Sequence, residues 1–109
     1  MSRILRGARD GVPVVRLEGE VGADEALQVE EALAEALLAS ADRVLVDLRS
    51  TVHLNYRVAG MLAEVARSRR RLRLVGATPY VRQILCLAGA EEGEGGSYDD
   101  IRQALAERG

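Results

Sequence analysis

The sequence predicts an α/β domain: a mainly parallel sheet of four to five strands, an antiparallel strand at its N-terminal edge, and about four helices. Three observations predict it. Extended apolar runs and segments of helical apolar spacing alternate along the chain, as they do when helices pack on a parallel sheet. Asp10-Gly11 is a turn signal between the first two extended runs, so these form an antiparallel pair. Residues 43–48, RVLVDL, carry a continuous apolar run, which a central strand covered on both faces requires.

Taken in order, Ile4 and Leu5 make the first apolar stretch. In VVRLEGE, Val15 and Leu17 alternate with Arg16 and Glu18 at the period-two spacing of a half-exposed strand. From Ala23 to about Ser40 the chain is rich in Ala, Leu and Glu, and Ala26, Val29, Leu33 and Leu37 recur at helical spacing. Asp24 stands near the start of that helix for capping or for interaction with its positive end. After RVLVDL comes a helix with Val58, Met61, Leu62 and Val65 inward, then a strand around Leu72, Leu74 and Val75. Thr78-Pro79 opens the next helix, because threonine accepts a bond from an orphan N–H and proline at the first helical position loses none. Its inner face is Val81, Ile84, Leu85 and Ala88, and Gly89 suits the stop. Beyond the polar AEEGEGG stretch, Ser97 with Asp100 is a partial capping box for a last helix, whose docking stripe is Ile101, Ala104 and Leu105. A further strand has room before that helix.

With 109 residues and no Gly/Ser/Pro linker, the chain reads as one domain, 1–109. Its net charge of −2 gives no strongly basic surface, which removes the simplest argument for nucleic-acid binding. The N-terminal MSRILRGARDG is too short and too charged for a signal peptide, and no apolar run approaches bilayer length. The expectation is a soluble cytoplasmic protein with no membrane insertion.

The chemistry of an enzyme is missing. There is no GxxxxGK[ST] loop and no GxGxxG after a strand, so no nucleotide cofactor is expected. His53 is the single histidine and Cys86 the single cysteine, which leaves neither a disulfide nor a His- or Cys-rich metal site. His53 is expected at a strand end as an ordinary polar residue, and Cys86, among the apolar neighbours of QILCLAG, as a small buried hydrophobe. Asp47 is expected to end its strand by accepting bonds from nearby backbone amides. Glu30, Glu31 and Glu35 fall on a solvated helix face, and Glu91, Glu92 and Glu94 in a loop. In RSRRRLRL, Arg67, Arg69, Arg70 and Arg71 suit the negative end of a helix, and no aromatic residues interleave with them to stack on bases. No catalytic residue is assigned.

The element order and several local motifs resemble the STAS family, the fold of bacterial anti-sigma-factor antagonists, over nearly the whole chain. In VLVDLRSTVHLNYRVAGML, Asp47-Leu48 match the family's strand-ending D-L pair, Asn55 falls on the Asp of a D-S-[ST]-G-L-G motif, and Leu62 on an apolar helix position. VVRLEGEV resembles the second strand, LRLVGATPYVRQILCLAGA the fourth strand and third helix, and SYDDIRQALAE the closing helix.

The resemblance implies a non-enzymatic switch, docking on an anti-sigma factor that is a serine kinase of histidine-kinase-like fold. In the family the motif serine is phosphorylated by that partner, and added charge at a docked helix N-terminus releases the complex. Here the serine position is Tyr56, followed by Arg57 and, in place of the usual Gly, Val58; the second strand's usual Asp is Gly22, with Asp24 close by. A serine kinase cannot modify Tyr56 by the same geometry, because the phenol oxygen stands several ångströms further from the backbone, and Ser50 and Thr51 are poor substitutes. Asn55 is a good N-cap, and Tyr56 is expected at the exposed tip of the helix. There it either forms a protein-contact patch with Asn55, Arg57 and Asp24, or lies over the neighbouring loop and does no more. The alternative partner implied by the resemblance is the ATPase of a lipid or anion transporter, which small STAS subunits accompany.

Overall fold

The computed structural model describes residues 2–39, 43–68, 72–90 and 97–98. Strand β1 (Ser2–Arg9) turns back into β2 (Val12–Val21) through Asp10 and Gly11, with Arg9 opposite Val12. Both turn residues have positive φ, 51° and 79°, which is the type I′ geometry whose twist matches a two-residue hairpin. A short 3-10 helix (Ala23–Glu25) leads into α1 (Ala26–Ala39). Then follow β3 (Val44–Asp47), β4 (Thr51–Leu54), α2 (Tyr56–Ser68), β5 (Leu72–Val75), α3 (Pro79–Leu87) and β6 (Ser97–Tyr98).

The sheet order is β1-β2-β3-β5-β6, antiparallel at β1–β2 and parallel elsewhere, with β4 also parallel to β2. From β2 onward each crossover steps in the same direction. Right-handed crossovers that all advance one way place their helices on one face of the sheet. The main core bears this out: Val15, Leu17, Val46 and Leu74 from the sheet meet Val29 and Leu33 of α1, Val58 and Leu62 of α2, and Val81 and Leu85 of α3. The opposite face carries a smaller cluster, Leu45 and Val75 with Val12 and Val14 against them. All of β3 is buried, so the central strand is covered on both faces as its composition predicts.

Several elements differ from the sequence expectation. The strand β4 occupies Thr51–Leu54, where no separate strand is expected, although His53 lies near a strand end as expected. β3 and β4 are two pieces of one interrupted track along β2: Arg16 pairs with Asp47, then Gly19 with Thr51 and Val21 with Leu54. The interruption is held by the buried Thr51 hydroxyl, which donates to the Leu17 carbonyl at 2.7 Å. Ser97 lies in β6, paired with Leu74, where a helix cap is expected. The predicted last helix with Ile101, Ala104 and Leu105, together with Arg69, Arg70, Arg71, Glu91, Glu92 and Glu94, lies outside the described residues.

Cys86 is exposed, not buried. The inward stripe of α3 is spent on Val81, Ile84, Leu85 and Ala88, and one hundred degrees per residue turns Cys86 and Leu87 outward. In α2 the buried residues are Val58, Ala59, Leu62, Ala63 and Ala66, which leaves Met61 and Val65 half-buried at the side facing α1. The cap of α3 is as expected: Thr78 Oγ1 accepts from the Val81 N–H at 3.3 Å, and Gly89 follows the helix with φ 111°.

Asp47 behaves as its place at a strand end predicts. It is almost wholly buried, and its Oδ1 accepts from the Arg49 N–H at 3.0 Å. The Arg49 guanidinium adds bonds of 3.1 and 3.0 Å. Burial pushes the Asp47 carboxyl up, but the Arg49 bonds outweigh it and hold the group below the ordinary aspartate value. Among the described residues no helix is long and apolar enough to cross a membrane.

Candidate functional site

The candidate site is built where β4 passes into α2. Leu54 and Val58, both fully buried, fix the chain on either side of the corner. Asn55 between them donates its N–H to the Val21 carbonyl at 2.8 Å, tying the corner to the end of β2. Its side chain caps the helix, Oδ1 accepting from the Arg57 N–H at 2.9 Å, and its carbonyl accepts from Ala59 at 2.9 Å. With the backbone so held, residues 56 and 57 must point outward, since 58 and 59 take the inward face.

Tyr56 is 62% exposed, yet its hydroxyl is not free. It donates to the Leu87 carbonyl at 2.8 Å. Leu87 is the last residue of α3, and the last four carbonyls of a helix have no partner within it. The phenol therefore reaches across and caps the neighbouring helix, while the face of the ring stays in solvent. The ring is thus exposed at the tip of α2, as expected, and its hydroxyl reaches the end of α3.

A second clasp holds the other end of α3. His53 Nδ1 lies 2.8 Å from the Tyr80 hydroxyl, and the two rings sit 5.8 Å apart at 32°. Tyr80 is in the first turn of α3 and Leu87 at its end, so the β4–α2 corner grips both ends of one short helix.

The resulting surface is unusually apolar. Six large hydrophobic residues are exposed among those described, and four of them, Val52, Tyr56, Tyr80 and Leu87, belong to β4, the start of α2 and α3. Arg57 is exposed beside them. Of the residues singled out from sequence, the structure brings Asn55, Tyr56 and Arg57 together. Asp24 is exposed on the 3-10 turn after β2, at the same end of the sheet, but no bond joins it to the other three. That turn is stabilised instead by Glu25, whose carboxylate accepts from the Gly22 N–H at 3.0 Å and from the Ser2 hydroxyl at 2.6 Å.

Sequence reasoning misses Val52, His53, Tyr80 and Leu87. The signal for Tyr80 is present, since a tyrosine at the second position of a Thr-Pro-capped helix, ahead of the inward Val81, has to face outward. His53 and Val52 carry no such signal until β4 is recognised as a strand. Among the described residues no group of three or more His, Cys, Asp or Glu side chains is arranged to hold a metal.

Comparison with known proteins fits this architecture. The sequence profile of a family described as "Mlab, STAS domain" matches residues 4–102. No curated protein matches the chain. Among solved structures, the anti-sigma factor antagonist SpoIIAA in its unphosphorylated form superimposes with a TM-score of 0.74 at 16% identity, covering 94% of this chain and 93% of that one. An anti-sigma factor antagonist from Mycobacterium paratuberculosis gives 0.78 at 22% identity, with 96% and 92% covered. A variant of RsbS from Moorella thermoacetica gives 0.76 at 19%, with 94% and 92% covered.

Proposed function

The chain belongs to the STAS domain family, and from that premise we propose that it is a non-enzymatic regulatory module that docks on a protein partner through the β4–α2–α3 surface centred on Tyr56. The partner in this reading is an anti-sigma factor of histidine-kinase-like fold, the class implied by the chain's structural neighbours among anti-sigma factor antagonists. The observation that carries the proposal is the exposed ring of Tyr56, whose hydroxyl donates to the Leu87 carbonyl. A large aromatic face with few rotatable bonds loses little entropy on binding, which is the property of an interface anchor. Arg57 beside it supplies a cation for a carboxylate or carbonyl on the partner.

Regulation by serine phosphorylation at this corner is not part of the proposal. The first residue of α2 is Tyr56, and its oxygen is spent on Leu87 at the far end of the ring. This substitution also favours a second reading, a STAS subunit that clamps the ATPase of a lipid or anion transporter without any phosphorylation step.

Affinity capture from lysate of the source organism, with tagged wild type and Tyr56→Ala in parallel, separates the two. A kinase-type anti-sigma factor recovered by wild type and lost with the variant supports the first reading. A transporter ATPase recovered in its place supports the second. Equal recovery of one partner by both baits removes Tyr56 from the docking surface.

A further inference from the structure

On the side of α2 that faces α1 lies a second surface. Helix α1 uses Val29, Ala32, Leu33 and Ala36 to pack on the sheet, but it is apolar on its outer side too. Leu27 is 65% exposed and Leu38 88% exposed, eleven residues apart and so three turns along one face, with Ala34 between them. Beside this stripe, and sharing Ala34 with it, is an open groove of about 330 Å³ between α1 and α2, lined by Leu33, Leu37, Met61 and Val65. Met61 and Val65 are the two residues of α2 that the spacing assigns to the core and the structure leaves half-buried beside this groove.

The two charged residues that line the groove are both acidic, Glu30 on its α1 wall and Glu64 on its α2 wall. Helix α1 contains no basic residue, and its Glu35 is paired with Arg6 at 3.1 Å, away from the groove. An exposed leucine stripe beside a groove walled by acids on both helices is a local conflict with the fold that a single occupant relieves.

We propose that the α1–α2 groove is a docking site for a basic amphipathic helix of a protein partner, with its apolar edge laid between Leu37 and Met61 and its Lys or Arg residues over Glu30 and Glu64. Resting on the proposed function, the module then has two docking faces and acts as an adaptor between the partner at Tyr56 and the owner of the basic helix.

The test uses a fluorescein-labelled synthetic peptide of about four helical turns, leucine along one edge and lysine elsewhere, titrated with the full chain and read by anisotropy. Its control is the same peptide with glutamate for every lysine. The expected result is saturable binding of the lysine peptide alone, weakened about tenfold or more by the paired Leu27→Gln and Leu38→Gln substitutions and unchanged by Tyr56→Ala. Glu30→Gln with Glu64→Gln reduces both the affinity and its dependence on salt. Leu27 and Leu38 are exposed, so the double variant retains the wild-type melting temperature. Equal binding of the two peptides, or binding indifferent to the leucine substitutions, overturns the proposal. So does a wild-type homodimer in sedimentation equilibrium that Leu38→Glu dissociates, since a second copy of the chain is then the occupant.

Discussion

Tyr56 carries two roles in separable parts of one side chain. The hydroxyl caps α3 through Leu87, and the ring face is left to solvent. Tyr56→Phe removes the bond alone. At an exposed position it lowers stability by about 0.5–1.5 kcal/mol, measured by urea unfolding, and leaves partner binding within a few-fold of wild type. Asp47 is the residue where pH acts. Its carboxyl titrates below the ordinary value of 3.8 when folded, because the Arg49 bonds exceed the cost of burial. A group whose folded pKa is depressed stabilises fully above its unfolded pKa and loses that contribution as pH falls through the folded value. The expected outcome is that wild type loses stability below about pH 4, and that Asp47→Asn is less stable at neutral pH by about 1–3 kcal/mol and has a flatter acid limb. Equilibrium unfolding between pH 2 and 7 checks both.

At the scale of the element, α3 has nine residues and only two fully buried anchors, Val81 and Leu85. Its hold on the domain includes three outside bonds: the Thr78 cap, the Tyr80–His53 contact and the Tyr56 bond to Leu87. Because its outward face includes Cys86, a thiol reagent should label the native protein stoichiometrically at a rate independent of denaturant below the unfolding transition. Slow labelling that tracks unfolding contradicts this placement. The approach to α3 is equally constrained. Gly76, with φ 74°, lies against the side chain of Arg49, so Gly76→Ala imposes both a left-handed alanine and a clash, at about 1–3 kcal/mol by thermal melting.

These elements show what the sequence makes legible. The hairpin turn, the buried β3, the Thr-Pro cap and the capping Asn55 follow from local chemistry, and each is found where its residues place it. What stays hidden depends on pairing across the sheet. Residues 51–54, TVHL, are too short and too mixed to read as a strand, and they become one only because β2 extends past Asp47 and offers Gly19 and Val21 as partners. With β4 unseen, His53 and Val52 have no face, and the clasp on Tyr80 cannot be drawn. Cys86 misleads for the opposite reason: its apolar neighbours in sequence belong to two sides of the same helix, and Leu87 is 69% exposed.

For the whole molecule, the one-directional winding of the sheet gathers three helices on one face, with α2 between α1 and α3. The chain belongs to the STAS domain family, and in the proposed function Tyr56, the first residue of α2, is the aromatic anchor for the partner. The central claim is that this ring is what the partner binds. The most direct test is calorimetric titration of the captured partner with wild type and Tyr56→Ala, alongside the melting temperature of each. The account predicts an affinity loss of about 2 kcal/mol or more, roughly thirtyfold, with the melting temperature lowered only by the few degrees that loss of the Leu87 bond costs, as in Tyr56→Phe. Equal affinities, or a loss of binding matched by a collapse in melting temperature, would make Tyr56 a strut for α3 and place the docking surface elsewhere.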